Sequence, residues 1–191
     1  MCKFIEPFYT DTKFVILMHL KEFKKVKNNT GHFTHQTLTN SELFVGVDFT
    51  KNNRINEIIK DYDSYILFPS VNALDITKTN PKTSNKPLAI FVIDSTWACT
   101  KKMFTQSKNL QELRHISFTT QRVSKYEIKA QPQDNYLSTI ESVLVVLENL
   151  NGLKIEDVCL KNFLKPFEEM ILYQKNLIQN PKSNAVRFKR R

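Results

Sequence analysis

Cysteine is scarce in this chain and dispersed, with Cys2, Cys99 and Cys159 the only three among 191 residues. That spacing excludes a disulfide framework and a zinc quartet, and it suits a reducing, cytoplasmic compartment. Long apolar runs are missing too; the longest are near strand length, which excludes a bilayer-spanning segment. Met1 to Pro7 carries Lys3 and Glu6 and lacks the apolar core of a signal peptide. No internal repeat is visible, and no low-complexity stretch precedes the tail. His19, His32 and His35 have no carboxylate or cysteine companions in metal-ligand spacing, so no metal is expected.

Acidic residues are outnumbered. Twenty-eight Lys and Arg face nineteen Asp and Glu, a formal net charge of +9. A field of that sign favours polyanions, and its distribution narrows the choice. Lys21, Lys24, Lys25 and Lys27 cluster in a segment that reads as a loop after the first strand. Lys101, Lys102 and Lys108 form a second patch, and Arg187-Phe188-Lys189-Arg190-Arg191 a third. Separate patches suit a tracked phosphate backbone. A membrane partner is disfavoured, because no basic amphipathic helix is visible.

What is present is an alternation of strand and helix patterns. Lys13–His19, Leu43–Val47, Tyr65–Pro69, Leu88–Ile93 and His115–Phe118 read as strands. Between them lie a short polar helix over His32–Leu38, an amphipathic one around Arg54–Ile59, and a helix from Ala98. Asp75–Lys86 reads as a polar loop. Leu137, Ile140, Val143, Leu144 and Leu147 recur at helical spacing, with Ser138 and Glu141 as a capping box and Asn151-Gly152 closing the helix. Phe163, Phe167, Met170 and Ile171 mark a last helix, with a possible break at Pro166. The pattern predicts an α/β fold with a mainly parallel sheet: one domain over 1–180 and a basic tail over 181–191.

Asp94-Ser95-Thr96-Trp97 is the most informative stretch. A carboxylate ends a buried strand, where open parallel sheets bind ligands, and the sole tryptophan follows three residues later. Two readings stay open. Asp94, Ser95 and Thr96 cap the next helix and Trp97 is core, or the turn is a site for a polar, ring-containing ligand.

Four blocks in order resemble the DTW-domain family, named for its Asp-x-Thr-Trp turn. They are Met18-His19-Leu20-Lys21-Glu22 with Lys27-Asn28-Asn29-Thr30-Gly31, then Leu67-Phe68-Pro69-Ser70, then Ile93-Asp94-Ser95-Thr96-Trp97-Ala98 with Lys101-Lys102-Met103-Phe104. The fourth is Arg122–Lys129 running on to Leu137–Ser142. Three departures stand out. Leu20 takes a position often held by proline, and Ser95 replaces a small Gly or Ala. The family's N-terminal cysteine cluster is represented only by Cys2, and one thiolate cannot make a structural zinc site.

The resemblance implies a tRNA-uridine aminocarboxypropyltransferase. Such an enzyme moves the 3-amino-3-carboxypropyl group of S-adenosyl-L-methionine to uridine N3 and releases 5′-methylthioadenosine. It also implies a SPOUT-like fold with a C-terminal trefoil knot. Asp94 is then the candidate base for the weakly acidic N3–H, since burial at a strand end raises a carboxylate's pKa. Leu67, Pro69, Thr96, Trp97, Ser124, Tyr126, Ser138, Thr139 and Glu141 are expected around S-adenosylmethionine; the helix start at Ser138 suits its carboxylate. Asn29, Thr30, Lys101, Lys102, Arg122, Arg187, Lys189 and Arg190 are expected on the tRNA side, and a monomer is expected. Three rivals remain: a SPOUT-like RNA methyltransferase, an rRNA aminocarboxypropyltransferase, and an RNA-binding protein without activity.

Overall fold

Strand β1 (Lys13–His19) has no exposed side chain along its seven residues. Such a strand must lie inside a sheet covered on both faces. The computed structural model, which describes residues 2–25, 29–81, 84–126 and 137–179, shows that arrangement. Strands β1, β2 (Ser41–Gly46), β3 (Asp63–Leu67), β4 (Leu74–Asp75), β5 (Leu88–Asp94) and β6 (Arg114–Ser117) form one six-stranded sheet in the order β2-β1-β5-β3-β6-β4. Every pairing is parallel.

Alternation along the strands divides the core in two. Phe14, Tyr65, Ile90, Val92 and Ile116 point to one face and meet α2 (Thr30–Thr37), α6 (Thr139–Gly152) and α7 (Lys165–Gln179) through Phe33, Val143, Leu147 and Phe167. Val15, Leu17, Ile66, Ala89 and Phe91 point to the other. They pack on α3 (Asn53–Asp61), α4 (Trp97–Gln106) and α5 (Lys108–Gln111) through Ile55, Ile58, Met103 and Leu110.

This two-sided cover determines where a ligand site opens. β1 and β5 are neighbours, yet α2 after β1 lies on one face and α4 after β5 on the other. The chain thus leaves the two strand ends in opposite directions. A crevice remains between them, the position at which parallel α/β sheets bind ligands. Met18 and Asp94 stand side by side in register there.

Several elements differ from the sequence expectation. Residues after β1 form a helix, α1 (Leu20–Lys25), and not a loop. Its Leu20 and Phe23 are solvent-exposed, so it buries no apolar stripe that periodicity would reveal. The segment read as a polar loop from Asp75 begins as β4, a two-residue edge strand too short to carry a pattern. α2 starts at Thr30 with Asn29 as its cap. β3 stops at Leu67, which leaves Phe68-Pro69 outside the strand. Pro166 does not break α7 but lies in its first turn, where its missing N–H has no helical partner to lose. The described residues do not show the C-terminal knot that the resemblance implied.

One buried carboxylate anchors the entry to β1. Glu156, between α6 and α7, accepts the Thr12 N–H at 2.6 Å and the Asp11 N–H at 3.1 Å. Glu156→Ala leaves both amides without that acceptor. The expected cost is about 2–3 kcal/mol, read in a thermal melt as a Tm roughly 5–10 °C lower.

Candidate active site

Asp94 ends β5 and is buried. Its Oδ1 accepts the Thr139 hydroxyl of α6 at 2.6 Å. From the other side the first turn of α2 presses against it: a Cβ on Gly31 would lie 2.7 Å from the Asp94 Cγ. Only glycine permits this approach, and here the reason is closeness and not a positive φ. The carboxylate is held by three segments far apart in sequence. It does not cap α4; Thr96 occupies the cap position, without a side-chain capping bond. Ser95 turns its hydroxyl to Thr100 Oγ1 at 2.6 Å.

Above Asp94 opens a cavity of about 640 Å³. Its floor is the ends of β3, β5 and β6, and its walls are the starts of α2, α4 and α6 together with Tyr126. Of the residues expected around S-adenosylmethionine, Leu67, Pro69, Asp94, Thr96, Trp97, Tyr126, Ser138 and Thr139 all line it. Trp97 is 44% exposed, so the core reading of the indole is set aside. Tyr126 packs on Phe167, with ring centroids 5.4 Å apart. Burial pushes its phenol pKa up, and the nearby Asp94, Glu22 and Glu141 carboxylates push the same way.

Glu141 and Ser124 lie outside the cavity lining and hold its wall. The buried Glu141 carboxylate accepts the Ser138 N–H at 2.8 Å and the Ser138 hydroxyl at 2.5 Å. It also accepts the Ser124 hydroxyl and the Lys125 N–H, each at 2.8 Å. One side chain thereby caps α6 and ties the segment carrying Tyr126 to it. Asn29 works similarly on α2. Its Oδ1 accepts the His32 N–H at 2.8 Å and its Nδ2 lies 3.4 Å from Met18 Sδ, which seats Thr30 on the cavity wall.

The cavity's charge is opposite to that of the chain. Among the described residues, Asp94 and Glu22 are the only charged side chains that line it. The cations stand outside. Lys101 and Lys102 are exposed on α4, and Lys21 is exposed on α1. Lys21 and Lys102 both act electrostatically on His19, so the two helices bring positive charge to the same rim. His19 is buried at the end of β1, and its Nδ1 accepts the Lys21 N–H at 3.1 Å. Burial first, then the Lys21 charge, lowers its pKa. Arg122 pairs with Glu148 at 2.8 Å. Arg187, Lys189 and Arg190 lie outside the described residues. No group of three or more His, Cys, Asp or Glu among the described residues is placed to hold a metal.

Sequence reasoning gave no role to Glu22, Gly31 or Phe68. Glu22 and Gly31 stood in plain view within the first matched block, but nothing local indicated that they reach the Asp94 turn. Phe68 lines the cavity and stacks on Phe104 at 4.7 Å, a contact between two blocks.

The fold and site together define a parallel α/β protein with an acidic ligand crevice at its topological switch point. The DTW domain model matches residues 1–175, and the chain belongs to the DTW-domain family. It is 22% identical over 179 residues to tRNA-uridine aminocarboxypropyltransferase 2 of Macaca fascicularis, covering 91% of this chain and 59% of that one. The enzymes of the same name from Drosophila melanogaster and Mus musculus are each 25% identical, over 63% and 61% of this chain and 46% and 38% of their own. The chain thus spans 59% or less of the length of each of these relatives. No solved structure matches it.

The closeness of α2 to Asp94 predicts a contrast between two glycine substitutions. Gly31→Ala drives a methyl group into the carboxylate and should cost about 1–3 kcal/mol. Gly152→Ala, at the end of α6 with nothing within 4 Å of its Cβ position, should be neutral or stabilise by up to about 1 kcal/mol. Denaturant melts of the two variants beside the parent chain make the comparison.

Proposed function

We propose that this chain transfers the 3-amino-3-carboxypropyl group of S-adenosylmethionine to N3 of a tRNA uridine, with 5′-methylthioadenosine as the other product. The observation that carries this reading is the acidic cavity inside a basic chain. A crevice whose charged lining is two carboxylates disfavours a phosphate but suits a ligand with a sulfonium and an ammonium group. The names of the relatives point the same way.

S-adenosylmethionine supplies a carbon activated by a sulfonium leaving group, so the chain's task is mainly positioning. Leu67, Pro69 and Thr96 border the space for the adenosine, and the exposed Trp97 offers a face for adenine or uracil to stack on. Ser138 and Thr139 line the cavity at the start of α6, where the partial positive charge of the helix N-terminus suits the methionine carboxylate. Asp94 takes the N3 proton as N3 bonds to the carbon beside sulfur, and the pair of the broken C–S bond returns to sulfur. Thr139 keeps the Asp94 carboxylate oriented for that transfer.

The tRNA approaches over the cationic rim of Lys101 and Lys102, with Arg122, Arg187, Lys189 and Arg190 as further phosphate contacts. Asn29 and Thr30 order the adjoining turn. A SPOUT-like C-terminal trefoil knot belongs to the same reading.

The test uses tRNA with S-adenosylmethionine labelled separately in the methyl and the carboxypropyl carbons. Carboxypropyl label should enter a uridine nucleoside, and Asp94→Ala should lower the rate by about 100-fold or more. Methyl label in the RNA would instead make the chain a methyltransferase. RNA binding with neither label transferred would leave a binding protein.

A further inference from the structure

Glu22 is the unassigned charge of the cavity. It lies on α1, directly after β1, and lines the cavity. It is half-buried and makes no hydrogen bond or ion pair among the described residues, although Lys21 and Lys24 share its helix. Asp94 differs on each count: it is buried deep at the strand end and bonded to Thr139. Both carboxylates and Tyr126 line the same cavity, which places the two acids around one space and not in two separate clefts.

A half-buried carboxylate with no bonded partner is costly to hold and repels the RNA that the surrounding lysines attract. A cationic ligand group removes both penalties. S-adenosylmethionine has two such groups, and they differ in kind. The sulfonium is at the reacting centre and has no N–H to donate. The ammonium is a compact donor at the far end of the methionine portion.

We propose that Glu22 binds the α-ammonium of the methionine portion while Asp94 serves the reacting centre, so that Glu22 fixes which carbon next to sulfur faces the uridine. This rests on the reading of the cavity as an S-adenosylmethionine site. Glu22 is then a substrate-binding residue that governs the choice between carboxypropyl and methyl transfer, because that choice is one of orientation.

Calorimetric titration of the full chain with three ligands tests this. S-adenosylmethionine has both positive groups, S-adenosylhomocysteine only the ammonium, and 5′-methylthioadenosine neither. Glu22→Gln should weaken the first two by roughly 10- to 100-fold, the loss of one charge-assisted hydrogen bond. It should leave 5′-methylthioadenosine within about 2-fold, which also shows that the variant is folded. Glu22→Asp should recover part of the loss. Weakening of S-adenosylmethionine alone would assign Glu22 to the sulfonium and overturn the proposal. Equal effects on all three ligands, or none, would also overturn it. A parent chain that binds none of the three defeats the S-adenosylmethionine reading itself, an outcome distinct from parent binding that Glu22→Gln leaves unchanged.

Discussion

The structure depends on the packing of α2 and α6 against the carboxylate at the end of β5. Asp94 can be buried there only because Gly31 has no side chain and Thr139 supplies a hydroxyl at 2.6 Å. These two contacts come from two of the three helix starts that wall the cavity, so seating the carboxylate and shaping the cavity are one event. A methyl group at position 31 would push on α2, on Asp94 and hence on Thr139 together. Sites held within fractions of an ångström need such support from rigid elements. Here the support comes from helices whose other faces are core: Phe33 on α2, and Ile140, Val143 and Leu147 on α6.

The second organising fact is the segregation of charge. The chain is strongly basic, yet the charged lining of its cavity among the described residues is acidic. Interspersed charges would give a cavity that attracts nucleic acid as readily as a small cation. With the carboxylates inside and the lysines on the rim, the charge pattern is attractive to a polyanion at the surface and repulsive to phosphate within the cavity. A nucleoside whose base enters must then leave its backbone outside. The geometry suits chemistry on a base edge better than chemistry on a phosphate.

How much of this was legible in the sequence follows from the range over which each signal acts. The buried strands and α6 were legible because burial on a sheet face and a helical stripe are local patterns, and the Ser138–Glu141 box is a local bond pair. α1 escaped because Leu20 and Phe23 face solvent and leave no periodic trace. The turn at Asp94 was visible as a strand end, but nothing local showed that Thr96 takes the cap and that Asp94 bonds to Thr139. Glu141 and Ser124, both expected near the ligand, bond to each other. Their separation in sequence hid a bond that only folding makes. The same holds for Glu22, whose reach into the cavity depends on how α1 turns across the end of β1.

The charge pattern also bears on turnover. In the proposed reaction the sulfonium becomes a neutral thioether, and the ammonium departs attached to the uridine. Both features that made the ligand fit an acidic cavity are therefore lost in one step, and 5′-methylthioadenosine is left with stacking and hydrogen bonds alone. In that reading the acidic lining favours S-adenosylmethionine over 5′-methylthioadenosine, the product that carries neither positive group. Such an asymmetry would let the site bind its small ligand firmly without being stalled by the nucleoside left behind. It also accounts for carboxylates as the charged lining, since a neutral cavity shaped for adenosine would hold the spent nucleoside about as well as the reactant.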